Sequence, residues 1–479
     1  MVFSSFIFLY LFLPLTVAVY FITPRTLRNG VLLSASVFFY AWGAPTLVIP
    51  LLISCSLDYV LSNYLSTNRK LAPQKRKLIL ALAITLNLSM LGYFKYANFF
   101  IEQLNTTLER LSLHPFSWVA VALPIGISFF TFQKISYLVD VYRGVTPVAR
   151  NIFDYTLYVL LFPQLIAGPI VCYHDIAEQL TKRRETLPLF LSGVFRFCLG
   201  LGKKVLIADS MGSVADAVFA LPDASLTTSW AWVGIVAYAY QIYFDFSGYS
   251  DMAIGLGAMF GLRFKENFNQ PYISQTVTEF WRRWHISLTT FFREYLYFPL
   301  GGSRCSTIVT YRNLLLVFLL SGLWHGAAWT FILWGIFHGA FLILDRLFWL
   351  RVSRTIPAPV NTLITFIIIL FGWSLFRAES LPEALHFMEI LLGGTPSPYL
   401  PSPAGFIVDN RSAVIFLVAT MLCFTPQFLP QARKQLLELR TELSIRRTLA
   451  YGGMSVVTLL LATTFLAARG HTPFLYFKF

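Results

Sequence analysis

His325 stands in Ser321-Gly322-Leu323-Trp324-His325-Gly326, near the middle of an apolar run from Asn313 to Leu344. A neutral imidazole titrates near physiological pH and can take a proton from an attacking hydroxyl as a general base. Ionisable groups inside apolar membrane sequence are costly and mark functional sites. As one helix the run would be roughly 48 Å long at about 1.5 Å per residue, which is too long for one crossing. It is too short for two crossings of about 20 residues each. Basic residues flank both ends (Arg304, Arg312; Arg346, Arg351, Arg354). A broken or re-entrant element around Gly322 and Gly326 meets both constraints. Irregular backbone at membrane depth is tolerated only where protein buries it or where it lines a cavity, so His325 is expected to face a cavity. The alternative is a hydrogen-bonded structural histidine between packed helices. His338, in Phe337-His338-Gly339, is open to the same two readings, the structural one preferred.

A second candidate lies in Arg263–Arg304, where the density of charge forbids a lipid-exposed span. At about 100° per residue, Phe280, Trp284, Leu288, Phe291 and Tyr295 share one helix face, with Arg282, His285, Thr289 and Arg293 opposite. One side of this helix is wet or faces a ligand; the readings are an interfacial helix meeting lipid headgroups or a wall of an active site. Arg282 and Arg283, beside His285, could bind an anionic donor, such as the phosphates of coenzyme A, or an acidic carrier. A third element, Tyr243 to Asp251, puts Asp245 and Asp251 beside an apolar run. Partners for nearby arginines are preferred there over acid/base groups.

Several chemistries are excluded. No H-E-x-x-H or G-x-S-x-G occurs, so the zinc-protease and serine-hydrolase signatures are absent. Gly200-Leu201-Gly202-Lys203-Lys204 lacks the earlier glycine and the following Ser/Thr of a phosphate loop. Cys55, Cys172, Cys198, Cys305 and Cys423 are scattered and form no C-x-x-C, which indicates neither a metal site nor a disulfide framework. No bound cofactor is expected.

The elements that must position these residues are membrane helices. With 56% hydrophobic and only 13% charged residues, the 479-residue chain reads as one all-α, polytopic membrane domain over 1–479, not as several soluble domains. Phe6–Ile22 has no basic n-region or small-residue cleavage site and is followed by Arg25 and Arg28, so it reads as a first span rather than a signal peptide. Further apolar stretches include Val31–Ala41, Thr46–Leu65, Leu78–Phe94, Ser117–Phe132, Thr156–Val171, Leu187–Leu201, Ala231–Phe244, Thr362–Phe376, Ala413–Phe424 and Thr448–Ala468. Some are short, so roughly ten to twelve crossings, some tilted or re-entrant, are expected. The net charge of +14 sits in short connections and marks topology, not a nucleic-acid surface.

Taken together, Pro124–Gln133 (PIGISFFTFQ), Phe162–Ile170 (FPQLIAGPI), Asp245–Gly255, Phe280–Leu288 (FWRRWHISL) and Trp324-His325-Gly326 resemble the membrane-bound O-acyltransferases, and within them the bacterial alginate O-acetylation branch. Each motif alone is weak; their combination in this order is specific. The aromatic ending Pro473–Phe479 also looks like that branch. The resemblance implies a ring of helices around a thin, funnel-like core, His325 in the place of the catalytic histidine, and His285 at the second family position. It further implies a multi-pass protein of the bacterial inner membrane. Such a protein accepts an acyl group from a cytoplasmic thioester donor, acetyl-CoA or another, and passes it across the membrane. A periplasmic acetyltransferase partner then places it on a polysaccharide. The alternatives are a component of peptidoglycan O-acetylation or teichoic-acid D-alanylation, or a transporter of an acylated carrier that performs no chemistry.

The Lys/Arg-rich connections place Arg25/Arg28, Arg69–Lys77, Lys182–Arg184 and Arg433–Arg447 in the cytoplasm and the Lys/Arg-free stretch Gly393–Gly405 outside. Reporter fusions should find 69–77 inside. An outward 69–77 loop would reverse the orientation and the side from which donor is taken.

Overall fold

The computed structural model describes residues 1–67, 72–166, 168–394, 407–428, 445–469 and 474–475. The Gly393–Gly405 stretch beyond Gly394, the basic connection Arg433–Arg447 up to Ser444, Arg69-Lys70, and all of Pro473–Phe479 except Phe474 and Leu475 lie outside the described residues. Among those described, every regular element is helical. Six helices are long and apolar enough to cross a membrane: Pro45–Thr67, Pro73–Arg110, Thr307–His325, Trp329–Thr355, Ala358–Arg377 and Asn410–Phe428. Phe8–Ile22 and Gly452–Ala468 are shorter apolar helices. The all-α polytopic reading stands.

The number that qualifies is below the ten to twelve crossings hydropathy suggests, and two stretches explain part of the difference. Ser117–Phe132 is not a span: residues 113–124 form no helix, and a helix starts only at Ile127, after Pro124 and Gly126, whose φ of 76° is left-handed. The non-helical part is strapped to Pro73–Arg110 by Asn98, which accepts from the Trp118 ring N–H at 2.9 Å and the Val121 N–H at 2.9 Å. Among its described residues, Thr156–Val171 likewise holds only the end of the nine-residue helix Ile152–Leu160 and the four-residue helix Phe162–Leu165.

The chain groups into two compact units. The first comprises Met1–Glu185 and Phe260–Lys265. Its helices are α1 (Phe8–Ile22), α2 (Arg28–Gly43), α3 (Val48–Thr67), α4 (Pro73–Arg110), α5 (Ile127–Arg143), α6 (Ile152–Leu160) and α7 (Tyr173–Thr181). A buried charge pair ties three of them: Lys134 on α5 meets Asp58 on α3 at 3.0 Å, and Asn87 on α4 donates to the same carboxylate at 2.8 Å. Pairing is what makes a buried lysine tolerable. At one end of the unit Arg28 bonds Glu185, and Arg183 donates to the Tyr20 hydroxyl at 3.1 Å and to Asn29. The basic clusters at 25–28 and 182–184 therefore share one side, as their common assignment to the cytoplasm requires.

The second unit comprises Thr186–Met259 and Glu266–Phe479. It holds α8 (Leu187–Gly202), α9 (Asp209–Phe219), α10 (Thr228–Met259), α11 (Val277–Arg283), α12 (Ile286–Phe292), α13 (Thr307–His325), α14 (Trp329–Leu344), α15 (Ala358–Arg377), α16 (Leu381–Leu391), α17 (Asn410–Phe428) and α18 (Ile445–Arg469). α8 and α10 touch backbone to backbone at two levels. A Cβ on Gly200 would stand 2.4 Å from the Gly248 carbonyl oxygen, and one on Gly193 would stand 2.6 Å from that of Gly255. Small residues permit such close approach where the lipid itself offers no hydrophobic drive. Gly200→Val should therefore destabilise the chain by on the order of 1–3 kcal/mol through overpacking. Gly92→Ala, where an added Cβ meets nothing within 4 Å, should be neutral or slightly stabilising. Thermal midpoints of the detergent-solubilised proteins distinguish the two.

Candidate active site

The Asn313–Leu344 run folds as a broken element, but not as a shortened one. Polar flanks join both halves, so α13 begins at Thr307 and the helix opened by Trp329 continues to Thr355. Both halves are then long enough to span, which corrects the expectation that the run is too short for two crossings. The halves pack as a hairpin on facing glycines: a Cβ on Gly322 would lie 2.2 Å from the Phe331 carbonyl oxygen, and one on Gly335 2.4 Å from that of Phe318. His325 is the last residue of α13, and Gly326 follows in extended conformation (φ −167°). The imidazole is 4% exposed. Its ring lies 4.6 Å from Trp324, 4.9 Å from Trp334 and 5.1 Å from Phe376, all edge-on.

His285 arrives by a different route, and here the sequence reading needs correction. The two-faced helix over Phe280–Tyr295 does not exist as one piece. Thr276 caps α11 by accepting the Glu279 N–H at 3.0 Å, while Glu279 reaches back to the Gln275 N–H at 2.9 Å, a variant of the capping box. α11 then ends at Arg283, and His285 is left-handed (φ 44°, ψ 55°) before α12 begins. A non-glycine residue in that region costs on the order of 1–3 kcal/mol and is found mainly at functional sites. Asn267 holds the break: its carbonyl accepts the Ile286 N–H at 2.9 Å, and its Oδ1 accepts the Ser287 N–H at 3.1 Å and the Ser287 hydroxyl at 2.9 Å. Trp284 and His285 are both 1% exposed, so the two faces expected of one helix are buried together.

The same Asn267 Oδ1 lies 3.2 Å from His285 Nδ1. An atom that accepts a backbone N–H is an acceptor, so Nδ1 carries the imidazole proton and Nε2 the lone pair. The ring stands edge-on to Phe246 at 4.6 Å and 6.3 Å from Trp324. Trp324 thus borders both predicted histidines. His338 sits further along the same aromatic cluster, 4.9 Å from Trp334 and 5.0 Å from Trp281. The two arginines beside His285 part company. Arg283 binds Glu279 at 2.6 Å and the Asn269 carbonyl at 3.1 Å, whereas Arg282 is exposed.

Asp245 and Asp251 lie within α10, in the same helix as the apolar run Ala231–Phe244, and both are committed to cations, Asp251 to an arginine as expected. Asp251 accepts from Arg196 at 2.8 Å and Lys203 at 2.6 Å, and Arg196 also binds Glu266 at 2.6 Å. Lys204 sits between Asp209 at 2.6 Å and Asp245 at 2.9 Å. The Gly200–Lys204 stretch is therefore a helix contact followed by two structural lysines. Asp245 also accepts the Leu475 N–H at 2.8 Å, and Phe474 stacks 5.8 Å from Phe246, the ring beside His285. Asn267, Trp334 and Phe376 border or brace the site without having been singled out from sequence, and Lys204 was met there only as part of a failed phosphate-loop match.

In the first unit, Cys172, His174 and Asp175 place ligand atoms within 4.8 Å of one another. Asp175 is bound to Lys265 at 2.5 Å and His174 Nδ1 to Asp140 at 2.7 Å, so these groups are satisfied without an ion. The Asp140 hydrogen bond holds the His174 imidazole above its ordinary pKa.

An all-α, multi-pass membrane protein with histidines buried at two helix breaks narrows the class considerably, and comparison with known proteins completes it. The model of MBOAT, the membrane-bound O-acyltransferase family, matches residues 78–379. A probable alginate O-acetylase AlgI of Azotobacter vinelandii is 48% identical over 80% of this chain and 76% of its own. A peptidoglycan O-acetyltransferase of Helicobacter pylori is 37% identical over 89% and 87%, and a teichoic acid D-alanyltransferase of Bacillus subtilis 27% over 53% and 69%. The chain belongs to the membrane-bound O-acyltransferase family. It is an O-acyltransferase.

Lys204→Met should leave the Asp209 and Asp245 carboxylates without their ammonium and cost about 3–5 kcal/mol, as breaking a buried pair does. Adding Asp245→Asn should restore part of that loss, although the Leu475 N–H keeps an amide oxygen to bond. The thermal midpoints of the single and double variants decide it; an additive double variant would refute a coupled pair.

Proposed function

We propose that the protein takes an acyl group, most simply acetyl, from a cytoplasmic thioester such as acetyl-CoA. It passes the group across the bacterial inner membrane for O-acetylation of an exported or cell-wall polysaccharide, handing over to a periplasmic acetyltransferase partner. The observation that carries the reading is the convergence of His325 and His285 on Trp324 in the buried interior. His325 is the base: it takes the proton of the acceptor hydroxyl as that oxygen attacks the thioester carbonyl. The tetrahedral adduct collapses, the C–S bond breaks, and the proton passes to the leaving thiolate. The imidazolium formed in between sits at the C-terminal, negative end of the α13 dipole. His285, with its tautomer fixed by Asn267, presents Nε2 to a hydroxyl and positions it. Exposed Arg282 is the better donor contact; Arg283, tied to Glu279, braces the helix that carries it.

Likeness to the alginate-type relatives supports acetyl over D-alanyl as the group moved. A transporter performing no chemistry would need a gradient, whereas transfer of radiolabelled acetyl by purified protein without one supports catalysis. His325→Ala should lower transfer by about 10²- to 10⁴-fold, the usual loss for a general base, at unchanged membrane levels. His285→Ala should be impaired but active, and Arg282→Gln should weaken donor use. Acetyl ester content of the exported polymer, in cells with matched protein levels, reads all three. Near-normal esterification by His325→Ala would move the base to His285 or His338.

A further inference from the structure

In the first unit, the end of α1, the start of α2 and the end of α7 with the residues that follow it enclose a small polar cavity of about 140 Å³. Pockets for drug-sized ligands begin near roughly 300 Å³, so this one suits a group the size of a phosphate. Its lining includes four cations, Arg25, Arg28, Lys182 and Arg183, and one carboxylate, Glu185. Glu185 bonds Arg28 and the Tyr20 hydroxyl and lies 3.9 Å from Arg25, so its single charge is shared. Arg183 is held by neutral acceptors: it donates to the Tyr20 hydroxyl at 3.1 Å, to the Gln179 carbonyl at 3.2 Å and to the Asn29 side chain. Bonds of that kind fix a guanidinium without neutralising it. Asp154 meets Asn29 at 3.0 Å but does not line the cavity. The arginines are thus engaged, yet the lining keeps a net charge of +3, four cations against one carboxylate.

The cavity also lies where a lipid chain can reach it. Leu11, Leu15, Val19 and Ile22 recur at the spacing of one helix face and are 62%, 59%, 42% and 84% exposed. This apolar stripe of α1 ends just before the turn Arg25–Leu27, where Leu27 is exposed as well. From Leu11 to Ile22 it rises about 16 Å, roughly one leaflet of a hydrocarbon core about 30 Å thick. α2 then starts at Arg28 with no side-chain cap and no acidic residue in its first turn, and a helix N-terminus favours an anion. Basic pockets between membrane helices are the kind of site that anionic lipid headgroups occupy. We propose that this cavity binds the phosphate of an anionic phospholipid in the leaflet it faces, with one acyl chain along the α1 stripe. Arginine forks and a lysine ammonium give the phosphate charge-assisted hydrogen bonds. Coenzyme A also carries phosphates, but its nucleotide exceeds a cavity of this size and makes no use of an apolar stripe. Bilayer tails are as apolar as the stripe, so selection comes from charge at the headgroup. The inference is independent of the histidine reading.

The test uses the full chain, delipidated in detergent and supplied with equimolar phosphatidylglycerol and phosphatidylcholine, with bound lipid counted by native mass spectrometry. Phosphatidylcholine offers the same phosphate but brings its own cation. Wild type should therefore favour phosphatidylglycerol at least about five-fold through the charge-assisted contacts. Arg25→Gln with Lys182→Gln removes two exposed cations from the cavity and should cut that preference to about two-fold or less. Lys75→Gln with Lys77→Gln removes the same charge at two exposed positions that do not line the cavity and should leave it unchanged. Because all four side chains are exposed, unchanged thermal midpoints should confirm folding. Equal retention of the two lipids by wild type, an undiminished preference in Arg25→Gln/Lys182→Gln, or an equal loss in Lys75→Gln/Lys77→Gln each overturns the proposal. Displacement of the lipid by added coenzyme A overturns it too, because it would give the site to the thioester donor.

Discussion

Lys204 is 5% exposed and held between Asp209 and Asp245, and much of the second unit is arranged so that this charge is never left alone. An ammonium taken out of water costs several kcal/mol unless a carboxylate meets it at contact distance. Contact distance requires the turn after α8 to lie hard against α10, and it can do so only because Gly200 and Gly248 let the two backbones touch. The same approach brings Lys203 and Arg196 to Asp251. Asp245 then has a free side for the Leu475 N–H, which seats Phe474 on Tyr249 at 4.8 Å and on Phe246. Phe246 in turn bounds the His285 ring. A chain of single contacts thus runs from a buried ion pair to the His285 imidazole.

Both central histidines occur where a helix stops. His325 closes α13, and His285 is the left-handed joint between α11 and α12. At such breaks backbone donors and acceptors lose their partners within the helix and must find others. Asn267 provides them at His285, its backbone carbonyl taking the Ile286 N–H and its Oδ1 the Ser287 N–H, and that Oδ1 also orients the imidazole. The device that repairs the backbone is also the device that sets the tautomer. At His325 the neighbours are rings, with Trp324, Trp334 and Phe376 on three sides, so orientation there comes from packing.

The class, the helical architecture and the break at Gly326 were legible because hydropathy, flanking arginines and an apolar run of awkward length are local signals. His285 was legible as a residue but not in its setting. A period of about 3.6 residues runs through Phe280, Trp284, Leu288 and Phe291 as if one helix carried them, and nothing in FWRRWHISL announces that Asn267, 18 residues earlier, captures the amides at that point. Asn267 has no pattern of its own, since its role exists only once two distant segments meet. Lys203 and Lys204 were visible but ambiguous. A glycine-flanked lysine pair looks like a phosphate cradle, and only the facing aspartates on α10 reveal a structural pair. Ser117–Phe132 failed for the opposite reason: its composition suits a span, but Pro124 and a left-handed Gly126 start the helix too late.

These assignments bear on whether the interior conducts or reacts. A proton pathway needs ionisable groups that exchange partners along a line across the bilayer. In the second unit the buried carboxylates of α10 are each clamped by at least one cation at 2.6–2.9 Å, so a proton moved onto Asp251 would take from Lys203 the carboxylate it binds, and one moved onto Asp245 would leave Lys204 with Asp209 alone. Such a network holds shape. The histidines stand instead among aromatic rings. That setting suits the general base proposed above, which takes a proton from an attacking hydroxyl and returns it to a leaving thiolate.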